Sequence, residues 1–318
     1  MTQMNRTDCA RWLLEHDGYT ILTHRKPDGD TLGSAAALCR GLRSLGKTAH
    51  VLENPEVTAL YAPLMEGITK PQPQEGDLLI AVDVAADTML PKLFQEMKNS
   101  IDLRIDHHGS GREYTARELV ESDTAACAEI IWELLLEMDV EPDEKMAEAV
   151  YVGVSTDTGC FRYANTTTHT FDVAADCTAA GADIFEWNQK IFETVSLAKL
   201  RLQGWVAENA KLFCDGKLAL CALPKAVEDG FGVDEDDMSN VSAFLRSIEG
   251  VRMAALLRET EPEFTKVSLR AVPGYDAAAV CQIFGGGGHA GAAGCSLKMP
   301  LQEAAAAMEK AMLDWENS

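Results

Sequence analysis

No apolar run in this 318-residue chain approaches the roughly 20 residues that cross a bilayer, so no membrane span is expected. Residues 1–12 mix polar and apolar side chains and lack the apolar centre of an export signal. No two of the nine cysteines have Cys-x-x-Cys spacing, which excludes the common zinc and dithiol motifs. Most lie among Ala, Leu and Val and read as reduced structural thiols of a cytoplasmic protein. Positive charge is scarcest of all: 28 Lys and Arg stand against 50 Asp and Glu, a formal net charge of −22. Long nucleic acid is held through many basic side chains, so a surface this acidic excludes it as a partner. Any phosphate must be bound locally, by metal ions and a few placed cations, which suits short substrates. Internal repeats and low-complexity tracts are absent too.

What is present is ordinary globular material, 47% hydrophobic and 25% charged, and long enough for two cores. Helical spacing covers about Asn5 to Leu14, Thr31 to Leu45, Thr124 to Met138, and Asp143 into Val154. Short apolar strands lie between the first of these, at Tyr19 to Thr23, Thr48 to Leu52, Asp77 to Asp83 and Ile101 to Ile105. The alternation predicts an α/β domain, a mostly parallel sheet with helices on both faces. Within Thr124 to Met138, the apolar side (Cys127, Ile130, Ile131, Leu134, Leu135, Met138) offers a face for a homodimer. Glu129, Glu133 and Glu137 opposite it read as a solvated stripe. After a helical linker at 186–215, residues 216–318 read as a smaller α+β domain, leaving 1–185 as the first domain.

Four polar segments each follow an apolar strand or helix: His24 to Asp30, Asp83, Asp106-His107-His108, and Asp157 within Thr156 to Thr158. Ligands of open α/β sheets bind beyond the carboxyl ends of the strands, so these segments are expected at one rim. Asp30, just before Thr31, also has the placing of a helix N-cap. Carboxylates gathered at one point repel each other unless cations sit between them. Two divalent ions would balance four aspartates, and carboxylate with imidazole but no thiolate suits Mn²⁺ best. Such a pair activates water and stabilises both oxygens of an in-line displacement at phosphorus.

In the second domain, Phe264 to Ala271 alternates strictly, with Lys266, Ser268 and Arg270 on one face. Two cations on one strand of an acidic protein make a candidate phosphate clamp. The run Gly285 to Gly288, followed by His289, reads as a loop in which Gly286, Gly287 and Gly288 let the backbone approach a ligand. Two other glycine patterns fail on context. Gly41 to Thr48 fits the P-loop pattern but closes a helix instead of opening one. Gly286-x-Gly288-x-x-Gly291 has no βαβ unit after it.

His24-x-x-x-Asp28-x-Asp30, Asp83, Asp106-His107-His108 and Asp157 together resemble the four motifs of the DHH phosphoesterase superfamily. The Gly-Gly-Gly-His and Ala-Ala-Gly pattern resembles the carboxyl-terminal substrate domain of its RecJ-like and oligoribonuclease members, so the resemblance covers nearly the whole chain. It implies one metal on His24, Asp28 and Asp83, and a second on Asp30, Asp83, His107 and Asp157. His108 would face the scissile phosphate, with Asp106 orienting a histidine. The compact size and the segment from Phe161 to Thr166 are similar to the bifunctional oligoribonuclease/pAp phosphatases, and Arg162 or Asn165 would then contact the nucleotide. The implied substrates are short oligonucleotides, linear dinucleotides and pAp. A cyclic-dinucleotide phosphodiesterase and a non-catalytic nucleotide-binding protein are the alternatives.

Overall fold

In Leu78–Val82, Ile80 and Val82 turn to one side and Leu79 and Ala81 to the other, and all four are buried. A strand covered on both faces belongs inside a layered α/β sheet. The computed structural model describes residues 2–109, 114–233, 237–238 and 240–317. It divides into two units, Met1–Thr194 and Val195–Ser318.

The first unit runs β1 (Thr2–Gln3), α1 (Arg6–Glu15), β2 (Tyr19–Leu22), α2 (Gly29–Ser44), β3 (Ala49–Leu52), β4 (Thr69–Lys70), β5 (Leu78–Val82), β6 (Ile101–Asp106) and β7 (Arg117–Val120). Helices α3 (Cys127–Glu137), α4 (Glu144–Asp157), α5 (Thr168–Ala179) and α6 (Ile184–Asn188) follow. All strand pairs are parallel, in the order β1-β7-β6-β5-β2-β3-β4. The chain builds outward from β2 to β4, then resumes on the other side of β2 with β5. That reversal places a topological switch point between β2 and β5, where open sheets bind ligands. One face packs Ile21, Val51, Ile80, Leu103 and Ile105 against the α-helices. The other packs Leu22, Leu52, Leu79 and Ala81 against Leu90 and against Phe94 of a 3-10 segment, Lys92–Ser100.

The second unit comprises α7 (Leu197–Glu208), β8 (Lys211–Phe213), β9 (Leu218–Leu223), α8 (Lys225–Phe231), α9 (Val241–Arg246), β10 (Met253–Glu261) and β11 (Phe264–Ala271). It ends with α10 (Ala277–Gln282), β12 (Gly287–His289), β13 (Ala292–Leu297) and α11 (Leu301–Glu316). Its mixed sheet, β12-β13-β11-β10-β9-β8, is antiparallel except for β9 with β10. Two cores cover it. Leu218, Leu220, Ala255 and Leu269 pack with α10 and α11, whereas Ala219, Cys221, Ala254 and Leu256 pack with α7 and α9. Leu202 and Val206 of α7 are fully buried in the second of these cores.

Three expectations change. The apolar side of α3 is no dimer face, because Cys127, Ile130, Ile131, Leu134 and Leu135 are all 0% exposed inside the first unit's own core. The acidic stripe is solvated only at its end: Glu129 is wholly buried, Glu133 is half-buried against Arg6 and His169, and Glu137 is exposed, accepting a hydrogen bond from the Thr7 hydroxyl. Periodicity marks α3 as amphipathic but does not reveal that α1 and α5 cover its polar side. The glycine run is also not simply a loop, since Gly287 to His289 pair with β13. Gly286 and Gly288 are dictated by that packing. A Cβ on Gly286 would lie 2.3 Å from the Gly294 carbonyl oxygen, and one on Gly288 (φ +142°) 2.5 Å from that of Ala292. Gly287 has open space around it.

Candidate metal centre

Each end of the switch point delivers ligands for chemical reasons visible in the local structure. After β2, Asp28 is the N-cap of α2, its carboxylate accepting the Asp30 and Thr31 amides at 3.1 and 3.2 Å. Asp30 therefore is not the cap of its own helix. Its buried carboxylate reaches across to α3 and accepts the Cys127 and Ala128 amides at 2.7 and 2.9 Å, capping that helix instead. After β5, Asp83 adopts φ +57°, a conformation costly for a non-glycine residue, held by its amide on the Ile105 carbonyl at 2.9 Å. Asp106, His107 and His108 close β6, and Asp157 is the last residue of α4.

These ends converge. His24, Asp28 and Asp83 form one group able to hold a cation, Asp30, His107 and Asp157 a second, and Asp83 also groups with Asp106, His107 and His108. The His24 Nδ1 lies 2.8 Å from its neighbour's carbonyl, that of Arg25. A proton there leaves Nε2 as the donor atom, 3.5 Å from both Asp28 Oδ1 and Asp83 Oδ2. The His107 Nε2 lies 3.8, 3.6 and 3.3 Å from carboxylate oxygens of Asp30, Asp83 and Asp157. Asp83 thus divides its oxygens, Oδ2 toward the His24 group and Oδ1 toward the histidine pair. Asp83 Oδ1 and His107 Nε2 are buried without a hydrogen-bond partner among the described residues. Both atoms can offer a lone pair, and at 3.6 Å apart they are placed to share one cation.

Proton affinities tell the same story. Burial alone would push the His24 imidazole down, but the Asp28 and Asp83 carboxylates outweigh it and hold its pKa at about 11. Contact with Asp106, then Asp83, lifts His108 to about 10. Burial, reinforced by the charges of Asp83 and Asp28, raises Asp157 to about 7. Burial and the Asp83, Asp157 and Asp28 charges raise Asp30 well above the carboxylate range. The cluster attracts positive charge, and oxygen and imidazole donors without thiolate fit hard divalent ions.

Residues 19–154 match the DHH family, N-terminal domain, and residues 216–316 match the DHHA1 domain. The bifunctional oligoribonuclease and PAP phosphatase NrnA of Thermus thermophilus is 33% identical over 87% of this chain and 83% of its own length. The chain belongs to the DHH family. A Bacillus subtilis protein of the same name is 26% identical over 92% of this chain and 93% of its own. An exopolyphosphatase-related protein from Bacteroides fragilis superposes with a TM-score of 0.89, at 25% identity, covering 98% and 96% of the two chains.

Several supporting residues of this DHH-family centre carry no sequence signal of their own. Arg104, 2% exposed, donates from Nε and Nη2 to Asp106 Oδ2, while Asp106 Oδ1 accepts from His108. Asn54 donates to Thr23 Oγ1 and to the His24 carbonyl, both at 3.0 Å. Thr31 ties the first turn of α2 to the Val82 carbonyl at 2.9 Å. Gly153 is required because a Cβ there would sit 2.9 Å from Asp30 Oδ1. After Asp157, the Asn165 amide donates to the backbone oxygens of Ala125 and Asp157, and exposed Arg162 donates to that of Gly159.

In the second unit, register aligns Arg270 with Ala292 and Ala292 with His289 in one row across β11, β13 and β12. Paired residues project to the same face of a sheet. The neighbouring row is Ser268, Gly294 and Gly287, and Lys266 pairs with Ser296. Small residues between the Arg270 and His289 positions leave a shallow, basic-edged face, opposite the one Val267 and Leu269 bury.

Proposed function

We propose that this protein hydrolyses short oligoribonucleotides to mononucleotides and removes the phosphate of pAp, using two divalent ions, Mn²⁺ best of all. The observation that carries this reading is Asp83, whose two oxygens serve two adjacent donor groups. His24, Asp28 and Asp83 would hold one ion, and Asp30, Asp83, His107 and Asp157 the other. When bound, such a pair supplies activated water and charge stabilisation at phosphorus. The chain's own residues would do the rest. Asp106 fixes the His108 ring so that its other nitrogen can donate to a phosphoryl oxygen. Arg270 and His289, with Lys266 beside them, would bind phosphate on the second unit's sheet face.

The choice of substrate follows the name of the Thermus thermophilus relative and agrees with a charge of −22, which disfavours long polyanions. The test is Mn²⁺-dependent hydrolysis of pAp, linear dinucleotides, a five-nucleotide RNA, a 24-nucleotide RNA and a cyclic dinucleotide. Fast turnover of pAp and the short linear members is expected. Preference for the cyclic or the long substrate would overturn the assignment.

A further inference from the structure

The loop that follows β2 carries two cations, Arg25 and Lys26, next to His24 in sequence. Its backbone is clamped from both sides. The Arg25 amide donates to the Met89 carbonyl at 2.7 Å, and the Lys26 amide to Glu56 Oε2 at 2.9 Å. Glu56 is itself fixed by Asn54, the residue that also holds the His24 carbonyl. Lys26 is kept at φ +50°, a left-handed conformation that a lysine adopts only at a cost. Strain of this kind persists where the surroundings impose it, and it gathers at functional sites.

The clamp holds the backbone and leaves the cations unused. Arg25, Lys26 and Lys92 are exposed, and none has a side-chain hydrogen bond or ion pair among the described residues. All three line one hollow of about 780 Å³, with Glu56, Leu93 and Gln95 also on its wall. Three positive groups against one carboxylate are notable in a chain with 22 more acidic than basic residues. The hollow is built from the loops after β2, β3 and β5, so it lies on the rim that carries His24 and Asp83. Arg25 joins the two directly, because its carbonyl accepts from His24 Nδ1 while the same residue lines the hollow.

We propose that Arg25, Lys26 and Lys92 form a second phosphate subsite, which holds a phosphate other than the one that reacts. Guanidinium and ammonium groups on a fixed backbone are suited to a phosphate oxyanion. The subsite would favour substrates with two phosphates, such as a 5′-phosphorylated dinucleotide, over those with one. This inference rests on the proposed hydrolase reading, in which the metal centre takes the reacting phosphate.

The test compares kcat/KM for 5′-phosphorylated diadenylate with that for the same dinucleotide lacking the 5′-phosphate. It uses the full-length Mn²⁺-loaded protein and its Arg25→Ala/Lys26→Ala and Lys92→Glu variants. The ratio of the two values should fall roughly ten- to a hundredfold in the variants, as expected for losing charge-assisted phosphate contacts. It should recover in Arg25→Lys/Lys26→Arg. An unchanged ratio in both loss-of-charge variants would overturn the subsite. Should the wild type hydrolyse neither dinucleotide, the hydrolase reading fails by itself. Calorimetric binding of pAp then decides the subsite: weaker binding in both variants supports it, and equal binding overturns it.

Discussion

Arg104 and Asp106 meet twice on the same oxygen, Nε at 2.9 Å and Nη2 at 2.6 Å from Oδ2, with both residues at most 2% exposed. The other oxygen of Asp106 is thereby left to the His108 ring and amide. Burial would raise the Asp106 carboxyl, but His108 and Arg104 hold it below its ordinary range. Removing one partner of a buried ion pair costs about 3–5 kcal/mol, because the other charge stays buried and unpaired. Arg104→Met should therefore lower the unfolding free energy by about that much, measured in denaturant on metal-free protein. Arg104→Lys should lose less, since it keeps the charge but not the paired donors. A loss below about 1 kcal/mol for the Met variant would show that Asp106 does not depend on this pair.

How much of this was legible in the sequence depends on the range of the interaction concerned. Strand-end placement pointed to His24, Asp83 and His107, and a helix end to Asp157, because chain position alone fixes which rim an element's end reaches. Arg104 was not found, since an arginine inside a short apolar strand has no meaning until Asp106 and Glu118 are seen beside it. Asp30 was singled out, but its two partners on α3 were not: the Cys127 and Ala128 amides are 97 and 98 residues away, and no local pattern encodes that. Short strands such as β7 and β12 escaped for the opposite reason, being set by pairing and not by their own periodicity.

Helix packing around Asp30 gives a second prediction. A Cβ on Gly153 would stand 2.5 Å from Ala128 Cβ and 2.9 Å from Asp30 Oδ1. Gly153→Ala should cost about 1–3 kcal/mol of stability by overpacking and should lower metal content as Asp30 is displaced. Gly204→Ala is the control. It lies within α7 with nothing near its missing Cβ, so it should stabilise by about 0.4–1 kcal/mol. Thermal unfolding and metal analysis of both variants check the pair; equal behaviour would contradict the packing argument.

Metal binding should release protons. His24, with its pKa held at about 11, is protonated at neutral pH in metal-free protein and must lose that proton to ligate through Nε2. Asp157, raised to about 7, takes up a further proton as the pH falls through that value. The apparent Mn²⁺ affinity should then rise at least about tenfold per pH unit above pH 7, and more steeply below it. Titration in weak buffer with a pH indicator measures the release. An affinity independent of pH between 6 and 8 would show that these groups are not displaced by the ion.

The shared position of Asp83 makes the sharpest contrast between two conservative changes. Asp28 caps α2 and groups with His24 and Asp83. Asn caps helices about as well as Asp, so Asp28→Asn should keep the fold and weaken one metal position. Asp83 sends Oδ2 to the His24 group and Oδ1 to His107 and His108. Asp83→Asn removes a charge common to both groups and replaces one oxygen with a donor, which repels a cation. Elemental analysis after desalting should find about one Mn²⁺ per chain in Asp28→Asn and close to none in Asp83→Asn, against about two in the wild type. Turnover of pAp should fall by at least about a hundredfold in the second variant, since even residues that only support ligands cost up to that much. Equal metal content in the two variants would mean that Asp83 serves one group alone, and the two-ion reading would fail with it.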